Sequence, residues 1–330
     1  MAETFFKALR IEETPTKEFT RTIQDMSVDD LPDNDVLIRV VYSSLNYKDA
    51  LSASGNKGVT RKFPHTPGID AAGVVEDCRT DAFQTGEDVI VTSYDLGMNT
   101  PGGFGEYIRV PAEWVVRLPR GLSLKQSMII GTAGFTAAMS VRKLTHTLDP
   151  DSGRILVTGA TGGVGSMACA MLTHLGYSVS AVTGKTDTGF FESIGVSSII
   201  PRNEFLKDAK APLLKAQWAG VIDTVGGDIL ATAIKSTDLD GIVTCCGNVA
   251  SPDLPITVFP FILRGITLFG IDSQHCPMDI RAGIWEKLAA DWKFEQLDTI
   301  AEETDLNGLD AKIRDILAGR LKGRTIVKIG

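Results

Sequence analysis

The sequence predicts an α/β protein with two domains, one β-rich and one built on a doubly wound parallel sheet. Its 330 residues are more than one compact core usually holds. The first third contains strand candidates without intervening helices, whereas strands and helices alternate after residue 150. We therefore place the α/β domain at residues 125–275. Residues 1–124 and 276–330 are expected to form the β-rich domain together.

The N-terminal third contains strand candidates at residues 36–41 and 89–91, separated by glycine and proline turns. Such strands predict a partly closed antiparallel barrel. Residues 124–143 have the length and spacing of a packed helix, although Gly131 and Gly134 lie inside it.

After residue 150 the chain alternates between short apolar runs and helical patterns. Parallel strands with helices on both faces are the expected result. Strands are predicted at residues 155–157, 179–182, 198–200, 220–223, 242–245 and 266–269, with helices at residues 166–175, 190–194 and 229–235. Two further helices are predicted at residues 281–292 and 310–318. A final strand at residues 325–329 has no helix after it and is expected to return to the N-terminal domain.

Composition excludes several classes of protein. The formal charge of −8 opposes nucleic-acid binding, which needs clustered cations. The most apolar stretch, residues 258–271, is broken by Pro260 and Arg264 and is too short to span a membrane. Residues 1–4 lack the basic and apolar regions of a signal peptide, so a cytoplasmic location is expected. Neither the five cysteines nor the four histidines show metal-ligand spacing, so no metal site is predicted.

The strongest motif is the glycine-rich segment at residues 159–165, which follows a predicted strand and precedes a helix. Glycine lets the backbone approach a pyrophosphate, and the helix N-terminus offers free amides to it. From Ala160 the segment reads A-x-G-x-x-G, so one fingerprint glycine is replaced. Because the motif lies in a βαβ series, it predicts dinucleotide binding.

The preferred dinucleotide is predicted by the residues about 20 positions further on. An NAD enzyme presents Asp or Glu there, but no acidic residue lies between Ser166 and Lys185. Thr183 and Lys185 instead supply a hydroxyl and a cation, and Arg202 adds a second cation. This set suits the 2′-phosphate of NADPH.

Several segments resemble the medium-chain dehydrogenases/reductases, and within them the zinc-free YhdH/YhfP-type quinone oxidoreductases, which include acryloyl-CoA reductases. The segments are residues 43–49, 67–73, 131–137, 159–165, 260–265, 270–273 and 323–325. They extend over essentially the whole chain. The resemblance implies a GroES-like catalytic domain, a Rossmann domain and a homodimer.

The resemblance also implies what the active site lacks. Zinc alcohol dehydrogenases carry a cysteine ligand near Leu45-Asn46 and Gly-His-Glu where this chain has Gly68-Ile69-Asp70. Without a Lewis acid an alcohol is hard to activate, whereas a C=C bond conjugated to a carbonyl is already polarised. Hydride transfer to an enone, quinone or enoyl thioester is the implied chemistry.

The resemblance places Asn46 and Tyr47 in the cleft near the nicotinamide. Asn46 can donate an amide hydrogen bond there, and Tyr47 can donate a phenolic one or act as the acid. Asp49 is expected to orient Lys48 or to face solvent. Arg61 and Lys62 are candidates for CoA phosphates, and Arg324 is expected to reach the cofactor phosphates. The predicted cofactor contacts are Tyr47, Thr161, Gly162, Gly163, Val164, Thr183, Gly184, Lys185, Arg202, Cys246, Gly247, Ile271, Ser273 and Arg324.

The predicted function is NADPH-dependent reduction of an activated C=C bond in a small-molecule substrate, with acryloyl-CoA favoured and a quinone or unsaturated carbonyl compound as the alternative. A non-catalytic NADPH-binding redox sensor is a further alternative, with Cys245-Cys246 as one candidate redox pair. Short-chain dehydrogenases are excluded, because no tyrosine has lysine four residues later. A homodimer through residues 262–269 is expected, since an apolar edge strand needs covering.

Overall fold

The computed structural model describes residues 4–186, 188–207 and 209–330. Residues 1–3, on which part of the signal-peptide prediction rests, lie outside this description. Two compact units are present. Unit 1 contains the chain through Thr132 together with Gln274–Ala290 and Leu297–Gly330, and unit 2 contains Ala133–Ser273 and Asp291–Gln296.

Strands and helices alternate most regularly in the central part of the chain. The strands are β1 (Phe5–Glu13), β2 (Phe19–Ser27), β3 (Val36–Leu45), β4 (Asp70–Cys78), β5 (Asp88–Thr92), β6 (Tyr107–Val110), β7 (Val115–Arg117), β8 (Ile155–Thr158), β9 (Val179–Thr183), β10 (Ser198–Pro201), β11 (Trp218–Asp223), β12 (Thr237–Cys245), β13 (Thr267–Gly270), β14 (Ala301–Asp305) and β15 (Arg324–Lys328). The helices are α1 (Tyr47–Ala53), α2 (Leu124–Thr145), α3 (Gly163–His174), α4 (Gly189–Ser193), α5 (Arg202–Phe205), α6 (Gly227–Lys235), α7 (Phe259–Arg264), α8 (Met278–Ala289) and α9 (Leu306–Leu317). No helix among the described residues has the length and apolar character that a membrane span requires.

Unit 1 is built around a mostly antiparallel sheet of order β14-β15-β3-β4-β5-β7, and β6 also pairs with β3. The strand β15 pairs antiparallel with β3, with Thr325 opposite Leu45. Residues Val36, Ile38 and Val40 alternate along β3 and enter one apolar core, while Arg39 between them is exposed. This alternation explains why β3 can form the centre of the sheet.

Two local features near β3 and β4 position the site. The helix α1 begins directly after β3, and the Asn46 backbone amide at its start donates to the Asp49 carboxylate at 2.8 Å. The helix α2 is kinked at Gly131, whose φ of 50° and ψ of −162° are not helical. The single predicted helix at residues 124–143 is therefore two helical segments.

Unit 2 contains a parallel sheet of order β10-β9-β8-β11-β12-β13. Numbered within the unit, this is the order 3-2-1-4-5-6 of the doubly wound dinucleotide-binding fold. The central strand β8 is buried along its whole length, as expected for a parallel sheet covered on both faces. The predicted fold class is confirmed.

Some predicted boundaries were wrong. The helix α3 begins at Gly163 rather than at residue 166, because the glycines enter its first turn. The helix α8 ends at Ala289 rather than at residue 292, where Ala290 leaves helical geometry with ψ of −107°. The helix α1 was not predicted, and its seven residues are too few to show a helical period.

Candidate active site

The glycine-rich segment forms a tight turn between β8 and α3. Gly159 has a φ of +59°, and a Cβ there would lie 2.3 Å from Thr224 Oγ1. A Cβ on Gly165 would lie 2.4 Å from the Gly159 carbonyl oxygen. Both positions therefore require glycine. Gly162, Gly163 and Val164 form the N-terminus of the 12-residue helix α3, where backbone amides lack helical partners.

The predicted 2′-phosphate residues converge at the end of β9. Thr161 Oγ1 and Thr183 Oγ1 are 3.0 Å apart, and the Lys185 backbone amide donates to Thr183 Oγ1 at 3.1 Å. The Arg202 guanidinium packs against Gly184, where a Cβ would lie 2.7 Å from Nη2. Because β10 pairs with β9, Arg202 at the start of α5 is brought beside this end of β9. The structure thus places the Arg202 guanidinium, the Lys185 backbone amide and the hydroxyls of Thr161 and Thr183 together at the end of β9.

A buried carboxylate that was not among the predicted site residues lies at the end of β11. Asp223 accepts from Thr158 Oγ1 at 2.6 Å and from the Gly226 amide at 2.8 Å. Burial raises the pKa of this carboxyl, although these hydrogen bonds oppose the shift. Its position at the end of an apolar strand is the signal that could have revealed it. Asp223 holds the turns after β8 and β11 together.

The predicted nicotinamide-side residues lie after the neighbouring strands β12 and β13. The Cys246 amide donates to the Asp223 carbonyl at 3.1 Å, and the Ile271 amide donates to the Cys245 carbonyl at 3.0 Å. A Cβ on Gly247 would lie 2.0 Å from the Thr224 carbonyl oxygen. Ser273 ends the first segment of unit 2. Burial raises the pKa of the Cys246 thiol to about 12, which disfavours the thiolate that redox chemistry needs.

Unit 1 holds a buried polar cluster around Asp70, at the start of β4. Asp70 Oδ2 accepts from Ser44 Oγ at 2.6 Å and from Asn46 Nδ2 at 2.8 Å. Asp70 Oδ1 accepts from Thr132 Oγ1 at 2.6 Å, and the Thr132 amide donates to both oxygens. Asp70 is completely buried. These donors stabilise its negative charge in the absence of solvent.

Arg324 supplies the positive charge of the cluster. Its Nη2 lies 3.8 Å from Asp70 Oδ2 and donates to Ser44 Oγ at 2.8 Å. Its Nη1 donates to Asn46 Oδ1 at 3.1 Å, and Nε donates to the Ile129 carbonyl at 2.9 Å. The side chain is 2% exposed. Arg324 was predicted to reach the cofactor phosphates, but its guanidinium instead contacts protein acceptors inside unit 1.

Comparisons with known proteins agree with this architecture. The Alcohol dehydrogenase GroES-like domain matches residues 32–120, and the Zinc-binding dehydrogenase family matches residues 163–290. The chain is 44% identical to YhfP of Bacillus subtilis over 99% of each chain. The chain belongs to the YhdH/YhfP-type quinone oxidoreductases. As a member of this medium-chain dehydrogenase/reductase group, it is an oxidoreductase.

Other members of the group differ in the molecules that their names mention. Acrylyl-CoA reductase AcuI of Ruegeria pomeroyi is 40% identical over 98% of this chain and 99% of its own. The yhdH oxidoreductase of Salmonella enterica, solved in complex with NADP, is 41% identical, with a TM-score of 0.95 over 98% of this chain and 100% of that chain. The yhfP protein of Bacillus subtilis, solved with NAD bound, is 44% identical, with a TM-score of 0.95 over 98% and 99% of the two chains.

In this YhdH/YhfP-type chain, the two predicted catalytic residues have different environments. Asn46 is 8% exposed, and its Nδ2 donates to Asp70 and, at 3.2 Å, to Asp49 Oδ2. Its two amide N–H groups are therefore already used within the cluster, which suits a positioning residue rather than a donor to substrate. Tyr47 is 41% exposed, and its hydroxyl has no hydrogen bond among the described residues. Tyr47 is thus the side chain that this segment offers to a ligand.

Asp49 neither orients Lys48 nor faces solvent, so both predictions for it were wrong. It is completely buried and accepts from the Asn46 and Ile69 backbone amides, each at 2.8 Å. Lys48 Nζ instead donates to Gln274 Oε1 at 3.0 Å. Desolvation, with a smaller contribution from Asp70, raises the pKa of Asp49 to about 7, although the hydrogen bonds from Asn46 and Ile69 oppose the shift. Asp49 thus links the backbone at the start of α1 to the backbone just before β4.

The variant Asp49→Asn should change how stability depends on pH. With a pKa of about 7, folded Asp49 binds a proton more tightly than an unfolded carboxyl that titrates near 4. Its contribution to stability should therefore fall as pH rises from about 4 to about 7, by at most roughly 1.4 kcal/mol per pH unit, and then level off. Urea denaturation of both proteins at pH 5, 6, 7 and 8 measures the difference in free energy of unfolding. A wild-type minus variant difference that did not change with pH would contradict this.

The two candidates for CoA phosphates lie in the segment between α1 and β4. Arg61 and Lys62 are exposed, and the Arg61 amide donates to Asn99 Oδ1 at 3.3 Å. Within residues 4–186, 188–207 and 209–330, no three His, Cys, Asp or Glu side chains are grouped as they would be around a metal ion.

Proposed function

We propose that the protein is an NADPH-dependent reductase of activated C=C bonds, with a short enoyl-CoA, acryloyl-CoA above all, as the favoured substrate. The observation that carries the cofactor choice is the convergence of Thr183, Lys185 and Arg202 at the end of β9. The similarity to AcuI, which extends over 98% of this chain, supports the substrate class. A cytoplasmic location accords with such a substrate.

The residues of unit 2 fit a dinucleotide. Side chains at Gly159 and Gly165 would fill the turn, and the amides of α3 would bind the pyrophosphate. Lys185 and Arg202 would pair with the 2′-phosphate, while Cys246, Gly247, Ile271 and Ser273 would border the nicotinamide. NADPH, when bound, supplies the hydride.

Unit 1 supplies the polar side chains of the reaction. Tyr47 would donate its hydroxyl proton to the carbonyl oxygen, where negative charge develops, or to the α-carbon. Asn46, Asp49, Asp70 and Arg324 hold the start of α1, so they orient Tyr47 without contacting the reacting atoms.

Lys185→Ala should weaken the binding of NADPH about 10- to 100-fold and leave NADH nearly unchanged, because only NADPH carries the 2′-phosphate. Fluorescence titration of each dinucleotide measures both constants. Lys215→Ala, an exposed lysine of unit 2, is the matched control. An equal loss for the two dinucleotides would remove Lys185 from the 2′-phosphate site.

Tyr47→Phe should lower kcat by about 100-fold with little change in the affinity for NADPH, because the variant keeps the ring and loses only the proton donor. Steady-state kinetics and a cofactor titration separate the two effects. Tyr42→Phe, a substitution within β3, is the matched control. Unchanged turnover on every substrate tested would exclude Tyr47 as the donor.

The substrate class is tested by NADPH oxidation at 340 nm with EDTA-treated protein, using acryloyl-CoA, a benzoquinone and an unsaturated aldehyde side by side. A kcat/KM for acryloyl-CoA well above the others supports the proposal. The Quinone oxidoreductase of Sus scrofa, 32% identical over 54% of this chain, makes a preference for the quinone the second candidate. Tight NADPH binding without turnover would favour a sensor.

A homodimer is part of the proposal. The strand β13 lies at the edge of its sheet, and the preceding helix α7 exposes Ile262 (68%) and Leu263 (58%). Pairing of two copies through residues 262–269 would cover both features. Sedimentation equilibrium showing a monomer at working concentration would contradict it.

A further inference from the structure

A second concave site lies wholly within unit 1. The hairpin of β1 and β2 and the neighbouring loops enclose a cleft of about 300 Å³, which is at the lower end of the range for small-molecule sites. Its lining includes two charged side chains, Arg10 and Asp30, and the larger side chains of Phe6, Met26, Leu31 and Tyr107. None of them belongs to the buried polar cluster around Asp70 or to the predicted cofactor contacts.

Arg10 is the cation of this cleft. It is half-buried, and the only hydrogen bond of its guanidinium to a described residue is a long one, 3.4 Å from Nη1 to Thr66 Oγ1. No carboxylate lies within ion-pair distance of it in the described part of the chain. Burial lowers the pKa of Arg10, although Glu12 and Asp30 oppose the shift. Most of the five guanidinium N–H groups are therefore available to an acceptor that enters the cleft.

Asp30 is the anion of the cleft. It is exposed, lines the cleft with Arg10 and is near enough to affect the Arg10 charge, yet the two do not form an ion pair. Phe6 and Tyr107 meet edge to face with ring centroids 5.7 Å apart. With Met26 and Leu31, they supply the apolar part of the wall.

The charges restrict the occupant. A phosphate or dicarboxylate would bring excess negative charge to Asp30, whereas a ligand that carries an ammonium group beside its carboxylate would be attracted to both Arg10 and Asp30. An ammonium compound would leave Arg10 unpaired. We propose that the cleft binds a small α-amino acid with an apolar side chain, its carboxylate on Arg10, its ammonium group toward Asp30 and its side chain against Phe6, Met26 and Tyr107. This proposal does not depend on the reductase activity.

Calorimetric titration of the full-length protein with L-phenylalanine tests the proposal, and the Met26 methyl resonance, assigned with Met26→Leu, locates the binding. 3-Phenylpropionate lacks the ammonium group and 2-phenylethylamine lacks the carboxylate. The affinity for each should therefore be at least about tenfold lower than the affinity for L-phenylalanine. Equal binding of all three probes, no binding of L-phenylalanine, or binding that leaves the Met26 resonance unmoved would each overturn the proposal.

Variants assign the two charges. Arg10→Met should weaken L-phenylalanine binding about tenfold, and Asp30→Asn about threefold, because Asp30 is more exposed. Arg320→Met, which alters an exposed arginine paired with Asp315, should leave binding unchanged. If Arg10→Met does not fold, Arg10→Lys keeps the cation and should bind less tightly than wild type but measurably. Full binding by a folded Arg10→Met protein would overturn the proposal.

Discussion

Replacing Arg324 with methionine is expected to lower the free energy of unfolding by about 3–5 kcal/mol, because it leaves buried Asp70 without its positive partner. Nη2 of Arg324 lies 3.8 Å from Asp70 Oδ2, and both side chains are almost completely buried. Asp49, also buried, is attracted to the same guanidinium. Urea denaturation monitored by circular dichroism measures the loss.

Arg320→Met provides the matched control for this experiment. Arg320 pairs with Asp315 at 2.6 Å, but its side chain is 62% exposed. Its removal should cost at most about 1 kcal/mol. If Arg324→Met cost no more than this control, the cluster would not depend on its buried charge pair. Adding Asp70→Asn to Arg324→Met should recover part of the loss, because the unpaired charge is then removed.

Gly131→Ala is expected to cost at least about 3 kcal/mol and to disrupt the same cluster. The φ of 50° and ψ of −162° are accessible to glycine and strained for alanine. A Cβ there would lie 2.6 Å from Asp70 Oδ2, 2.7 Å from Ser44 Oγ and 2.8 Å from Arg324 Nη2. The added methyl group would therefore separate the charge pair, and thermal denaturation measures the effect.

Gly283→Ala is the control that separates the clash at position 131 from the effect that replacing any helical glycine with alanine has on stability. Gly283 lies in α8, and no atom lies within 4 Å of a Cβ built there. Alanine should be neutral at this position or stabilise the helix by up to about 1 kcal/mol. Similar losses in the two variants would show that the cluster does not explain the requirement for glycine at position 131.

The sequence predicted what is encoded locally. The alternation after residue 150 and the glycines of residues 159–165 are consecutive along the chain, so the doubly wound sheet and its turn could be recognised. Thr183 and Lys185 could be found because they follow the second strand at the spacing that the fold fixes. Arg202 follows the third strand, which pairs with the second.

The environments of Asp49 and Arg324 could not be predicted, because they depend on distant segments. Buried Asp49 accepts a hydrogen bond from the Ile69 amide, which is 20 residues away in the chain. Arg324 donates a hydrogen bond to Ser44, 280 residues earlier in the chain. The burial of Asp49 and Arg324 and the identity of their hydrogen-bond partners cannot be predicted from residues 46–49 or 323–325 alone. The kink at Gly131 was missed for the same reason, since the atoms packed closely against it belong to Asp70, Ser44 and Arg324, which are distant in the chain.

The pairing of β15 with β3 has a consequence for the order in which the protein folds. Thr325 and Leu45 are opposite one another although most of the chain lies between them, whereas β8 and β9 are joined by little more than one helix. Closing a long loop costs more entropy than closing a short one, and distant contacts slow folding. Unit 2 should therefore acquire its strand order early during refolding. The Asp70–Arg324 pair forms only when β15 docks, so the polar cluster of unit 1 should be completed after the sheet of unit 2 has formed.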